Sequence, residues 1–305
     1  MLQLKTAGLK ALDNLRSAGL YPPPWQSMAE LEKITDDTVA RFLSERYEVS
    51  KELGGGFLLP ELLDRTVRTT ESEHMDDRNM PEQKKLELVQ ALDRQNTLMH
   101  LYPRYISILQ PLIHETAKRQ ERPVRLLELA SGSGGLALAL AKEVRQKKLP
   151  LSVTASDVIP AYIEQGNHMA TQKNLPVTFR HLNALNLQEI GAAEFDIIII
   201  SQSLHHFTPG QLAVMIAQSA QHTTTAFIGI DGYRSIVLAC GVPLMASLQG
   251  IASFTLDGLT SARKFYSELE LDMITEIATA KRDHAVSSAW PLSVLSIRFD
   301  GEKPG

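Results

Sequence analysis

The sequence predicts an α/β protein, in which a mostly parallel sheet is covered by helices on both faces and preceded by an all-helical region. Three observations carry that reading. From about residue 123 onward, short apolar runs alternate with helix-length amphipathic segments, the pattern of strands joined through helices. The run Ile197 to Ile200 is unbroken, as in a strand buried on both faces. Ser131-Gly132-Ser133-Gly134-Gly135 separates an apolar run from a helical one, where such folds make a tight strand-to-helix turn.

The first region opens with a helix over 4–18, which Pro22, Pro23 and Pro24 stop. A second helix is expected over 36–47 and a short one over 60–67. The polar, acidic stretch 69–81 reads as a loop. Helix resumes near Glu82 and breaks at Pro103, so that its last piece runs over 104–118. These helices cannot bury their apolar faces alone. They are expected to pack on the second region, or to form a homodimer interface. In the second region strands are expected over 124–129, 151–156, 177–181, 195–201 and 225–230. Helices over 136–147, 160–173 and 209–220 separate them, and residues 265–269 fall in another helix. The runs 273–278 and 293–299 complete seven strands, the last suited to an antiparallel place.

Composition narrows the function. The net charge is -4, so no concentrated basic surface is expected and nucleic acid is not an expected partner. Cys240 is the one cysteine, which rules out an internal disulfide and a multi-cysteine zinc site. The N-terminus has no signal-peptide pattern and no segment reaches the length of an apolar span, so an integral membrane segment is not expected and the cytoplasm is the expected location. The apolar stretch 236–254 is interrupted by Gly241, Pro243, Gln249 and Gly250, and reads as a buried helix or an apolar lid beside a ligand. Gly54-Gly55-Gly56 is a hinge or a plain loop, with no phosphate-loop lysine after it.

Leu126-Leu127-Glu128-Leu129-Ala130-Ser131-Gly132-Ser133-Gly134-Gly135 holds the strongest chemical signal. Glycines there let the backbone approach a ligand, and the following helix offers free N–H groups. Asp157 closes the second strand, where a carboxylate accepts both hydroxyls of a ribose. That much also suits a nicotinamide enzyme. Glu128 separates the two readings, because a carboxylate at the end of the first strand repels a pyrophosphate and suits a ligand bearing an ammonium group.

On these residues the chain from about 123 to 300 resembles the class I S-adenosylmethionine (SAM)-dependent methyltransferases, and most of all their small-molecule branch, which includes quinone and natural-product enzymes. The resemblance implies a Rossmann-like seven-stranded, mostly parallel sheet with helices on both faces. It divides the chain into an N-terminal helical cap over 1–120, for substrate or dimerisation, and a methyltransferase domain over 121–305. Glu128, Gly132 and Gly134 match the family's first motif, with Ala130 where a glycine is usual; alanine fits there if its φ is negative. Asp157, with Val158 beside it, is implied to hold the ribose. Asn183, Ala184 and Leu185 are implied at the adenine, and Ser201 at the methionine end. An aromatic entering the first strand, Tyr105 or Tyr102, is implied to cover the cofactor.

Methyl transfer needs the acceptor aligned and water excluded, and a phenol or carbon acid also benefits from a base. His205 and His206 follow the fourth strand and are candidates for that role or for positioning the cofactor. Asp231 stands after the fifth strand, followed by Tyr233, a candidate to stack on the acceptor, and Arg234, a candidate to pair with its anion. His205 and His206 are adjacent and no His-x-x-x-His spacing occurs, so no metal is expected; the open alternative is a site in which Asp231 joins ligands distant in sequence. The Asn-Pro-Pro-Tyr-like segment of nucleic-acid and protein amino-methyltransferases is absent after the fourth strand, which favours a small-molecule acceptor. Leu238, Val242, Leu244, Met245, Leu248 and Phe254 are candidates to wall a hydrophobic or aromatic acceptor pocket. Three other readings stay open: a nicotinamide oxidoreductase, a SAM-binding enzyme of another reaction, and a non-catalytic binding module.

Overall fold

The computed structural model describes residues 2–77 and 79–299. Five helices come first: α1 (Leu2–Ser17), α2 (Met28–Glu52), α3 (Gly55–Val67), α4 (Glu82–Leu98) and α5 (Leu101–Gln120). Then follow β1 (Val124–Leu129), α6 (Gly135–Lys147), β2 (Leu151–Asp157), α7 (Pro160–Gln172), β3 (Val177–His181) and β4 (Phe195–Ser201). The chain continues through α8 (Pro209–His222), β5 (Thr223–Gly232), α9 (Ile236–Ser247), α10 (Ala252–Lys264) and α11 (Glu268–Thr279), and ends with β6 (His284–Ala289) and β7 (Leu292–Arg298). The seven strands lie in the order β3-β2-β1-β4-β5-β7-β6. All neighbours from β3 to β5 pair in parallel, while β7 runs antiparallel to both β5 and β6.

This order places the site. Beyond β1 the chain first builds outward through β2 and β3, then returns to add β4 on β1's other edge. The connections leaving β1 and β4 therefore diverge to opposite sides and open a crevice at their carboxyl ends. Glu128 and Ser201 both end up there, on adjacent strands.

The two faces of the sheet are covered differently. On one face α1 and α2 join α8 and α11 around Leu31, Phe42, Ile198, Leu212, Met215 and Ile274. On the other, α5 and α6 pack Tyr105, Leu109, Ile113 and Leu140 against Leu126, Ile197 and Ile199. The N-terminal helices thus divide between the two faces.

Three elements differ from the sequence expectation. Residues 273–278 are helical, inside α11, and the strand beside β7 is His284–Ala289. A short apolar run does not distinguish a buried strand from a helix. Here Ser267 and Glu270 form a capping box that starts a helix, and buried Leu271, Ile274 and Ile277 lie on its inner side. That cap also leaves Phe265, Tyr266 and Ser267 outside any helix, contrary to expectation. Pro103 does not break the chain. The break comes earlier, at Met99 and His100, and Pro103 sits in the first turn of α5, where its missing N–H had no intrahelical partner to lose.

A buried ion network ties the N-terminal helices to the sheet's far end. Arg46 reaches Glu61 and Asp64, each at 2.7 Å; Arg68 reaches Glu270 at 2.7 Å; Arg234 reaches Asp64 at 2.7 Å. Burial works against ionisation of Asp64, but Arg68, Arg234 and Arg46 outweigh it and hold the carboxyl well below the usual range. Arg68 stands at the start of the segment 68–81, so the network anchors one end of that loop. Asp257 of α10 holds its middle by accepting from the backbone N–H groups of His74 and Met75 at 2.6 and 3.2 Å.

Candidate active site

A cavity of about 340 Å³ lies over the carboxyl ends of β1 and β4. Its floor is the turn Ala130–Ser133 with Glu128 beneath, its side is Asp157–Ile159, and its far walls come from α4 and α5 through Val89, Asn96 and Tyr102. The turn owes its shape to its residues. Gly132 has φ +57, and its N–H donates to Asp157 Oδ2 at 2.9 Å. Gly134 has φ +79, and any Cβ there would overlap the Phe179 ring. Ala130 also has a positive φ, +47, so the expectation of a negative φ fails; an L-residue in that region costs about 1–2 kcal/mol. Gln202, after β4, has φ 53 and forms a reciprocal amide pair with Asn96.

Two carboxylates set the polarity of this cavity. Glu128 is buried; its Oε1 accepts from Ser201 Oγ at 2.8 Å, while its Oε2 has no partner. Burial raises its pKa to about 7, against the pull of the hydrogen bond from Ser201 and of the Ala137 backbone N–H. Asp157 accepts from the N–H groups of Ile159 and Gly132 at 3.0 and 2.9 Å, and burial again raises its pKa. A buried carboxylate oxygen without a partner fits a cationic group on a ligand, and the volume fits a nucleoside-sized molecule.

Next to it lies a smaller chamber of about 130 Å³, which shares Met75, Leu92, Gln202 and His206 with the first. Leu238, Val242 and Ala246 of α9, Phe254 of α10, Phe265 and Leu292 make most of it apolar. Its polar pole is Glu73, His205, His206 and Asp231. Asp231 Oδ2 accepts from His205's backbone N–H at 3.0 Å and faces its Nδ1 at 2.8 Å. Glu73 Oε1 faces His205 Nε2 at 3.3 Å. Burial disfavours the imidazolium, but Asp231 and Glu73 outweigh it and raise the His205 pKa to about 10. Glu73 responds in the opposite sense: burial raises it, and His205 and His206 bring it to about 2.

Residues 126–225 match a family model described as a methyltransferase domain. The plantazolicin methyltransferase BpumL in complex with SAH has a similar structure, with TM-score 0.51 and 12% identity over 68% of this chain and 89% of that one. BpumL with a monoazolic desmethylPZN analog and SAH gives TM-score 0.50 at the same identity and coverage. Magnesium protoporphyrin IX methyltransferase from Synechocystis PCC 6803 with bound SAH gives 0.44 and 14% identity, over 68% of this chain and 84% of that one. No curated protein matches the chain. The chain has the class I SAM-dependent methyltransferase fold.

Within this methyltransferase fold the structure sorts the residues singled out from the sequence. Glu128, Ala130, Gly132, Asp157, Val158, Leu185 and Ser201 line the larger cavity. Gly134 sits behind the turn, where α6 packs closely against Phe179 of β3. Asn183 faces outward and its side chain closes a turn by accepting from Leu185 N–H at 2.9 Å, while Ala184 is buried in the core. Tyr105 does not cover the cavity. It is buried beneath the sheet in the row Leu101, Tyr105, Leu109, and Tyr102 lines the cavity instead.

His205 and His206 both border the small chamber. Tyr233 and Arg234 do not. They border a separate surface cavity of about 280 Å³ beside Lys5 and Glu268. Arg234 is committed to Asp64 and to the carbonyls of Arg263 and Phe265, so it has no free donor face for an acceptor anion. Leu238, Val242 and Phe254 wall the chamber, but Leu244 and Leu248 project into solvent and Met245 is partly exposed. Glu73, Met75 and Asp76 went unnoticed in the sequence. They come from the segment 68–81, which carries no pattern to mark it as the neighbour of histidines about 130 residues further along the chain.

Proposed function

We propose that this protein transfers the methyl group of SAM to a small, hydrophobic or aromatic organic acceptor. The observation that carries the reading is the unpartnered, buried Oε2 of Glu128, set in a cavity bounded by the glycine-rich turn and Asp157 and opening into an apolar chamber. Glu128 would hold the ammonium of the methionine part, Asp157 the ribose hydroxyls, and the backbone at Gly132 would allow close approach. Bound there, SAM supplies an electrophilic methyl carbon.

The chain's own residues do the rest. Leu238, Val242, Phe254 and Phe265 take the acceptor out of water and restrict its orientation. His205 and His206 line the chamber's polar pole, beside the space that an acceptor's polar atom would occupy. BpumL, of the same fold, has been solved with SAH and a desmethyl analog together, so the architecture accommodates both at once.

The test is turnover. Purified protein is incubated with SAM and a panel of hydroxylated aromatic compounds, and SAH is quantified by mass spectrometry. The reading expects acceptor-dependent SAH together with an acceptor heavier by one CH2. SAH release without any methylated acceptor would contradict it.

A further inference from the structure

We infer that Glu73, His205 and His206 form a binding site for one divalent transition-metal ion of the zinc class, with its open coordination positions facing the acceptor chamber. Ligand atoms of these three residues all lie within 4.8 Å of one another. Nε2 of His205 stands 3.3 Å from Glu73 Oε1, and Nε2 of His206 stands 3.7 Å from Glu73 Oε2. Ligand bonds of about 2.0–2.2 Å at a tetrahedral centre put neighbouring donors roughly 3.3–3.6 Å apart, so the cluster is already near the spacing a metal imposes.

The outer contacts point the same way. Nδ1 of His205 is held by Asp231 at 2.8 Å and Nδ1 of His206 by Asp76 at 2.9 Å. Each ring is thereby turned so that Nε2 faces Glu73, the carboxylate–histidine arrangement that orients metal ligands. The inner atoms are buried as well: His205 Nε2 and Glu73 Oε1 lie on side chains 5% and 2% exposed and face only each other, with no further hydrogen-bond partner among the described residues. Three carboxylates, Glu73, Asp76 and Asp231, surround two imidazoles, which leaves negative charge for a dication to balance. The histidines carry no metal spacing in the sequence, and Glu73 lies far from both of them in the chain.

Three protein ligands leave at least one position for an outside oxygen, the hallmark of a catalytic rather than a structural site. Resting on the proposed methyl transfer, the ion selects an oxygen acceptor. A hydroxyl bound to it ionises more easily and is held in the chamber next to the cofactor cavity. The Glu73, His205 and His206 cluster would then specify acceptors with a coordinating hydroxyl, such as phenols.

The experiment uses the whole chain, stripped with a chelator and titrated with Co2+ under visible spectroscopy and with Zn2+ by calorimetry. One ion per chain is expected, with Co2+ giving the intense bands of low coordination number. Glu73→Gln and His206→Ala should abolish micromolar binding. Asp76→Asn touches an exposed orienting group and should weaken binding by roughly tenfold to a hundredfold, with an unchanged thermal melt of the metal-free protein. No stoichiometric binding, or binding that survives both Glu73→Gln and His206→Ala in folded protein, would overturn the inference. SAH affinity of the chelated wild type, measured alongside, reports on the cofactor reading by itself.

Discussion

Replacing Glu128 with glutamine separates two consequences of burying a carboxylate under the glycine-rich turn. The first concerns the ligand. The ammonium that the proposed function places on Glu128 would make a charge-assisted hydrogen bond to a buried carboxylate; removing that charge would cost about 3 kcal/mol, or about a hundredfold in affinity. The second concerns the proton. Glu128 is raised from 4.5 to about 7 by burial, so its ionised form, which the ligand needs, is depleted below neutrality. Wild-type affinity for SAH should therefore fall as pH drops below about 7, approaching tenfold per pH unit, and the Glu128→Gln profile should lack this decline.

The same group sets a stability trend of definite sign. Between pH 4.5 and 7 the folded chain holds the Glu128 proton that the unfolded chain releases, so the contribution of this group to stability declines as pH rises through that interval. The interval corresponds to roughly 3 kcal/mol, fully expressed as a penalty above pH 7. Glu128→Gln should consequently unfold at higher urea than wild type near pH 8, with the gap closing toward pH 5. The assays are SAH calorimetry and urea denaturation across pH. A flat wild-type binding profile, or Glu128→Gln binding SAH within threefold of wild type, would refute the reasoning.

Other substitutions probe the surroundings. Arg234→Met breaks a buried ion pair and leaves Asp64 with one cation fewer, so it should cost about 3–5 kcal/mol in urea melts while the folded protein still binds SAH. Gly134→Ala combines a φ of +79 with overlap on Phe179 and should lose about 3 kcal/mol of stability by the same measurement. Gly132→Val should abolish SAH binding in calorimetry, since the side chain closes the backbone's approach and meets Val89. In metal-stripped protein, NMR titration of the His205 imidazole should show its transition near pH 10, moving toward the ordinary histidine range in Asp231→Asn.

What the sequence disclosed follows from how local each signal is. The turn after β1, the carboxylate ending β2 and the unbroken β4 are each written in a few consecutive residues, and they meet in space because parallel strands bring their carboxyl ends to one edge. Glu73 has no such signal: a glutamate in a polar loop looks like any solvated acid until Arg68 and Asp257 pin that loop over the histidines. Of the two candidate aromatics, Tyr102 and Tyr105, helix phase selects Tyr102. The spacing Leu101, Tyr105, Leu109, Ile113 is one inward row of a helix, so it puts Tyr105 in the core and leaves Tyr102 to reach the cavity. Arg234 carried a charge suited to an anionic acceptor, but Asp64, which claims it, lies 170 residues earlier. The run 273–278 shows the limit of hydrophobicity without phase: the capping residues just before it, Ser267 and Glu270, held the better information.

The most direct test of the account is calorimetric titration of the protein, stripped of carried-over ligand, with SAM, SAH and NADH. The orphaned Glu128 oxygen and the Asp157 side of the cavity predict micromolar binding of both adenosyl compounds and none of NADH. Tight NADH binding, or no binding of either adenosyl compound, would contradict it.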